Sequence, residues 1–300
     1  MVQVGKSVEP VATPDALARA RRRAALVPDL LVEARRVVNT VIAGWHGRRK
    51  RGIGENFWQF RPYVEGEARS RIDWRRSARD DHIYVRDREW EAAHTVWLWA
   101  DPSPSMLYKS EAADVSKESR ALVLILALAE LLSRSGERIA WPGLTDPFTS
   151  RNGAERLAGQ LAHVSERPPK PDLMPIRRMS DLVIASDLLD PTVDTIAWLA
   201  PLADRGVRVH LIEIADPAEE NFPYSGRTEF RDPETGVKLT AGRAETVADD
   251  YRRQYIARRE ELEAWCRRLA WSYTINHTDR LASEALVRVH MMMSEEAGTV

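Results

Sequence analysis

Thr95–Met106 reads TVWLWADPSPSM, and its two halves decide the fold. Thr95–Ala100 is an uninterrupted apolar run, too short for a typical helix and without the alternation of a half-solvated strand. That is the pattern of a strand buried on both faces, and such strands belong to parallel sheets covered by helices. The run stops at Asp101, and Ser103 and Ser105 follow at every second position with Pro102 and Pro104 between them. One carboxylate and two hydroxyls are thereby delivered to the carboxyl end of a buried strand, where open α/β sheets bind their ligands. The prolines fix φ and remove two backbone donors, which holds the oxygens in place. Oxygen donors of this kind suit Mg²⁺ or Mn²⁺, and Mg²⁺ usually keeps positions for outside ligands. The stretch therefore predicts a metal-ion-dependent adhesion site, a grip on a partner. Asp and Ser also suit a capping turn ahead of a helix, and both readings stand at this point.

Working outward, Lys117–Arg134 reads as a long apolar helix ended by Ser135-Gly136, and Arg138–Trp141 as a short strand. Gly153–Val164 reads as a helix, Asp181–Ser186 (DLVIAS) as a second buried strand, Thr192–Asp204 as a helix and Gly206–Ile214 as a third strand. Alternation of this kind predicts a doubly wound, mostly parallel α/β sheet. Gly226–Leu239 reads as a hairpin around Asp232-Pro233-Glu234-Thr235-Gly236, followed by a charged helix over Arg243–Leu269, a strand at Trp271–Asn276 and a helix at Leu281–Met292. Upstream, Asp15–Val41 has apolar residues at helical spacing and predicts one or two short helices. Phe57–Val64 and His82–Trp90 alternate as strands around a helical turn at Ile72–Arg79. The expected organisation is a helical segment over 1–43, a mostly β subdomain over 44–93 and an α/β domain over 94–292.

Asp187 ends the strand DLVIAS and is the second candidate metal ligand, with a helix-capping Asp as the competing account. A further ligand would come from the interval between the two strands, where Thr145, Thr149 and Asp172 are the candidates. The cluster Arg69–Arg79 (RSRIDWRRSAR) is basic, yet Asp73, Asp80 and Asp81 interleave with it. An internally paired network packed around Trp74 is the expectation there, since guanidinium groups pair well with carboxylates. Arg48-Arg49-Lys50-Arg51 is a better electrostatic contact. Gly52-x-Gly54 lacks the strand-then-helix setting of a phosphate loop. No Walker-type G-x-x-x-x-G-K, no G-x-S-x-G elbow and no H-E-x-x-H occurs in the chain. Cys266 is the only cysteine, which excludes an intramolecular disulfide and a cysteine-based zinc cluster.

With 44% hydrophobic and 30% charged residues the chain has an ordinary globular composition, able to bury a core. The formal net charge of −1 offers no global case for a nucleic-acid partner, although Met1–Trp90 carries an excess of roughly seven positive charges. Met1–Pro14 lacks the apolar segment of a secretory signal, and the longest apolar run, Ala121–Leu132, is short and contains Glu130. The expectation is a cytoplasmic protein without a transmembrane segment, with peripheral membrane association left open.

Two segments together carry a family resemblance. The first runs FWQFRPYVEGEARSRIDWRRSAR from Phe57 and continues to Tyr84–Glu89; the second is DPSPSM. The chain resembles the domain-of-unknown-function 58 family, in which an arginine–tyrosine–acidic-glycine run and an Ile-Asp-Trp-x-x-Ser-Ala-Arg signature precede a D-x-S-x-S strand end on a von Willebrand factor A-like domain. The matching positions here are Arg61, Tyr63, Gly66, Arg69, Asp73, Trp74, Ser77 and Arg79. The resemblance implies a von Willebrand A-like fold and a partnership with a MoxR-type AAA+ ATPase, in an adaptor or chaperone-like role toward unknown clients. It implies no enzymatic activity.

The leading expectation is a non-enzymatic adaptor that holds Mg²⁺ or Mn²⁺ through Asp101, Ser103, Ser105 and Asp187, the coordination being completed by a partner carboxylate. The alternative is a metal-dependent phosphohydrolase using Asp101 and Asp187 at adjacent strand ends. A lesser alternative is nucleic-acid binding through the basic N-terminal third, which predicts steep salt dependence.

Overall fold

The computed structural model describes residues 14–46, 59–64, 72, 74–79, 82–87, 94–164, 168 and 170–295. Two compact units divide the chain, one formed by 45–93 and the other by 1–44 together with 94–300.

In the smaller unit, β1 (Gln59–Pro62) and β2 (Tyr84–Asp87) pair antiparallel with Gln59 opposite Asp87 and Pro62 opposite Tyr84. The short helix α2 (Trp74–Ser77) lies between them in sequence, and the Tyr84 amide donates to Ser77 Oγ at 2.9 Å. The Ser-Ala-Arg run thus begins with a serine that ties the helical turn to the second strand. Trp74 is 62% exposed. A packed network centred on its indole is therefore a misreading: four residues make a single turn, which buries only one side, and Ile72 is the buried residue next to it. Gly66, Arg69 and Asp73 lie outside the described residues, as do the basic run 48–51 and Gly52–Gly54.

The larger unit begins with α1 (Pro14–His46), one helix of 33 residues where one or two short ones were expected. Pro28 lies inside it, but Val27, Leu30, Ala34, Val38 and Val41 recur at helical spacing and are buried in the same core as the sheet. Burial of that stripe holds the helix through the proline, because tertiary packing supplies most of a helix's stability.

From β3 (Thr95–Ala100) the chain passes through α3 (Lys117–Arg134) to β4 (Arg138–Trp141). A hairpin adds β5 (Thr145–Phe148), and α4 (Gly153–His163) leads back to β6 (Ser180–Ser186). Then follow α5 (Thr192–Asp204), β7 (Arg208–Ala215), α6 (Pro217–Asn221), the hairpin β8 (Thr228–Arg231) and β9 (Lys238–Ala241), α7 (Ala248–Arg268), β10 (Ser272–His277) and α8 (Ala282–Glu295). The six-stranded sheet has the order β10-β7-β6-β3-β4-β5, parallel throughout except for the edge strand β5. This is the doubly wound α/β sheet that the alternation predicts. From β3 the chain winds one way to β4, and from β6 it winds the other way to β7 and β10. Opposite winding with one handedness of crossover puts helices on opposite faces. Accordingly α3 packs with α4 and α8, while α5 packs with α7.

The central strands are buried along their length, and α3 is buried nearly all round, which explains why its sequence has no polar face. Two elements have no counterpart in the sequence reading. Thr145–Phe148 contains Pro147 and does not read as a strand in sequence, but an edge strand tolerates proline. Pro217–Asn221 is a single capped turn. The charged helix starts later than Arg243: a 3₁₀ turn occupies Ala244–Thr246, and the Ala244 amide donates to the Gly226 carbonyl at 2.8 Å.

At the amino ends of the strands, Asp181 is buried and accepts Arg208 Nε at 2.7 Å and Nη2 at 2.8 Å, with His94 Nε2 at 3.0 Å. Burial opposes ionisation, but His210 and His94 beside it hold the carboxyl well below the usual carboxylate range. On α8, burial pushes His290 below the ordinary imidazole range. An imidazole that is neutral when folded is protonated first in the unfolded chain, so its contribution is complete above about pH 6.5 and is lost as pH falls through the folded value. Thermal stability is expected to decline between pH 7 and 5, and His290→Gln to flatten that decline. Equal slopes for the two proteins in melts across this range would refute the assignment. Asp181 adds its own loss as pH falls through about 3.9, where unfolded Asp is half protonated.

Candidate functional site

The change of winding direction occurs at the carboxyl ends of β3 and β6, which makes that point the crevice of the sheet. The ladder runs one residue beyond β3, with the Asp101 amide donating to the Ala185 carbonyl at 2.9 Å. Asp101 therefore emerges on a fixed backbone beside Ser186. Its carboxylate accepts the Ser186 hydroxyl on Oδ2 at 2.6 Å and the Ser103 amide on Oδ1 at 2.8 Å. Burial pushes the Asp101 carboxyl above its ordinary value, the bonds from Ser186 and Ser103 oppose that, and the nearby Asp187 adds to the rise.

Ser103 Oγ and Ser105 Oγ lie 3.1 Å apart. Their spacing follows from a 3₁₀ turn over Pro104–Leu107, which is anchored by the buried side chain of Met106. The Ser105 amide donates to Glu234 Oε1 at 2.9 Å, the glutamate coming from the tip of the β8–β9 hairpin. A second bond between the same regions joins the hydroxyls of Tyr108 and Tyr224 at 2.6 Å.

Asp187 also lies at the crevice, buried, but its carboxylate is engaged. Oδ2 accepts Lys117 Nζ at 2.9 Å and Oδ1 accepts the Leu189 amide at 3.3 Å. Lys117 opens α3, is fully buried, and also donates to Glu219 of α6. Burial alone would lower the Lys117 ammonium, but Asp187 and Glu219 outweigh it and keep the group charged. Asp216, at the end of β7, caps α6 in a reciprocal box with Glu219 and accepts the Ser110 amide at 2.9 Å. The segments following β3, β6 and β7 are thus tied together by charged hydrogen bonds around one lysine. Thr145 Oγ1 accepts the Trp141 amide on the edge strand and Asp172 accepts the Met174 amide. These two candidates for a further ligand each accept a local backbone amide.

Residues 59–261 match the family described as Protein of unknown function DUF58, which is more than half of the chain. The chain belongs to the DUF58 family. This DUF58 protein is 28% identical over 262 residues to the uncharacterized protein Rv1480 of Mycobacterium tuberculosis and to the uncharacterized protein Mb1516 of Mycobacterium bovis, with 80% of each chain covered in both cases. Among solved structures, it is similar to the conserved hypothetical protein BatB from Bacteroides thetaiotaomicron, at 14% identity and a TM-score of 0.40, over 69% of this chain and 100% of that one. An aerotolerance-related membrane protein from Bacteroides fragilis gives 14% identity and a TM-score of 0.36, over 67% of this chain and 99% of that one. Among the described residues of this DUF58 protein, no helix is long and apolar enough to cross a membrane.

Ligands at about 2.1 Å on adjacent octahedral vertices stand roughly 3 Å apart, and the two serine hydroxyls meet that spacing at 3.1 Å. The two hydroxyls therefore have the spacing of adjacent ligands of a Mg²⁺-sized ion, while both Asp101 oxygens accept hydrogen bonds, Oδ1 from the Ser103 amide and Oδ2 from the Ser186 hydroxyl. Asp187 does not join them, because Lys117 already satisfies its carboxylate. Among the described residues no group of three or more His, Cys, Asp or Glu side chains is arranged for a metal, so a cation here rests on hydroxyl oxygens and one carboxylate.

Sequence reasoning found Asp101, Ser103, Ser105 and Asp187 and missed Lys117, Ser186, Glu219 and Glu234. Asp216-Pro217-Ala218-Glu219 has the spacing of a capping box after an apolar strand, so Glu219 was within reach of the sequence. Ser186 ends a strand already recognised. Nothing in the sequence distinguishes Lys117 from a solvated first-turn lysine.

Proposed function

We propose that this DUF58 protein is a binding protein of the von Willebrand A-like kind, which grips a partner's carboxylate at the Asp101–Ser105 loop. The observation that carries the reading is the pair of serine hydroxyls 3.1 Å apart beside the Asp101 carboxylate, at the change of winding of the sheet. Mg²⁺ or Mn²⁺ held by Asp101, Ser103 and Ser105 would supply the positive charge that a carboxylate needs. Asp101 and Ser103 orient the loop, and Ser186 holds Asp101. The partner in this reading is a MoxR-type AAA+ ATPase, as the family resemblance implies, with the DUF58 protein presenting clients to it; cytoplasmic residence goes with an ATP-consuming partner. The phosphohydrolase alternative needs Asp187 free beside Asp101, and the Lys117 ion pair favours the binding reading over it.

Calorimetric titration of Mn²⁺ and Mg²⁺ is expected to show one site in the wild type, weakened at least tenfold in Asp101→Ala. Because Asp101 must lose its proton to bind and burial raises its pKa, affinity is expected to fall on acidification. A wild type that binds neither ion, with partner capture insensitive to chelator, would sink the metal-bridged reading.

A further inference from the structure

We infer that the β8–β9 hairpin is a resident pseudo-ligand: Glu234 occupies the Asp101–Ser105 loop as the partner's carboxylate would, and the hairpin must swing away before a partner binds. This rests on the carboxylate-gripping reading above and names both its ligand class and its regulation. The ligand class is a glutamate presented on a tight turn.

The contact itself is the first observation. Ser105 donates its backbone amide to Glu234 Oε1 at 2.9 Å, across 129 residues of sequence. A glutamate at an exposed hairpin tip has no need of a protein partner, since water serves it as well. Its seat is the Ser105 backbone amide, on the loop that carries the two serine hydroxyls.

The second observation is how the glutamate is presented. Asp232 Oδ1 accepts the Glu234 amide at 2.9 Å, and the Gly236 amide donates to the Asp232 carbonyl at 2.8 Å. Gly236 has φ of +74°, which closes the turn in a conformation that suits glycine. Asp232 is held below its ordinary range by hydrogen bonds from Thr235 and Glu234. The turn is therefore stiff, and a stiff turn loses little freedom on docking its glutamate.

The third observation is that the hairpin is attached apart from the main core. Phe222, Ala244 and Ala248 form a small core of their own, against which Tyr224, Phe230, Ala241 and Tyr251 pack. The outer faces of both strands are exposed. Phe222 has φ of +44° and Gly226 φ of +68°, so the segment leading into β8 turns through two left-handed positions. Segments with few core contacts open at lower free energy than the body of a protein. Swinging this hairpin breaks the Glu234–Ser105 bond and the ring contacts of Phe230 with Phe222 and Tyr224, and leaves the six-stranded sheet intact.

The test uses a cyclic peptide that closes the sequence Asp-Pro-Glu-Thr-Gly as a turn, titrated in Mg²⁺ against the full chain. Glu234→Ala is expected to bind it at least tenfold more tightly than the wild type, because the competitor is gone while an exposed tip residue leaves the fold unchanged. Glu234→Gln keeps a side-chain oxygen that can accept the Ser105 amide and should fall between the two, and the peptide with Gln for Glu should bind every variant at least tenfold more weakly. Adding Asp101→Ala to Glu234→Ala should abolish binding. Equal affinity of wild type and Glu234→Ala, still dependent on Asp101, overturns the pseudo-ligand and leaves the carboxylate grip standing. No binding to either chain, or binding indifferent to Asp101, overturns both.

Discussion

Lys117→Met is expected to destabilise the larger unit by about 3–5 kcal/mol, the usual consequence of removing one partner from a buried ion pair. For a unit of this size the melting midpoint should fall by roughly 6–20 °C. The methionine replaces the stem of the lysine almost atom for atom, so packing changes little and the loss reports the charge. Lys117 is fully buried, and its ammonium is the cation that Asp187 and Glu219 share. Without it the buried carboxylate of Asp187 and the part-buried one of Glu219 face each other. Burial already pushes Glu219 above its ordinary value with the lysine present, and in the variant one of the pair should take up a proton. The sign follows: a carboxyl whose folded pKa is raised binds more protons folded than unfolded, so the variant gains stability as pH falls. The gap from wild type is therefore expected to narrow between pH 8 and pH 5.5, and Lys117→Met with Asp187→Asn to recover part of the loss. Melts that place Lys117→Met within about 2 °C of wild type would show that the lysine does not carry this pairing.

Glu213→Gln should have an effect of the same order, about 3–5 kcal/mol, from the opposite face of the sheet. Glu213 on β7 is fully buried. Arg259 Nε reaches its carboxylate at 2.9 Å, Arg258 Nη2 at 3.1 Å and Tyr255 OH at 3.2 Å, and Tyr273 OH donates as well. The amide retains a hydrogen-bond acceptor but no charge, and two guanidinium groups of α7 lose their buried counterion. Arg258 also donates to the carbonyls of Asp187 and Leu188 at 3.0 Å and 2.5 Å, so α7 and the loop after β6 should loosen together. Amide exchange is expected to speed up over Ala248–Arg268 and 187–189 well before it does in β3. Uniform exchange throughout the larger unit would mean that the network does not act as a local clamp.

The two predictions concern residues of different legibility. The strand ends were visible in the sequence because burial on both faces forces an unbroken apolar run, and Asp101 and Asp187 mark where such runs stop. Lys117 was not, since helix periodicity places it in a first turn and says nothing about what covers that turn. Glu213 sits inside the strand RVHLIEIA, where a single glutamate could as well face water at an edge; only the approach of α7 with two arginines makes it a buried anchor. The Trp74 expectation failed for a related reason. A tryptophan amid arginines suggests packing, but a one-turn helix cannot surround it, and it stays exposed.

By itself the sequence determined the doubly wound sheet, the hairpin after β7 and the oxygen-bearing loop at the end of β3, because local periodicity and turn chemistry are enough to specify each of them. The DUF58 signature was likewise legible as a string of residues. Tertiary structure alone decided what that loop faces. The Asp101–Ser105 loop and Glu234 are separated by 129 residues, and Lys117 and Asp187 by 70. Which charge neutralises which, and which carboxylate reaches the serines, depends on how the crossovers bring distant strand ends together, and no local pattern of residues encodes those distances.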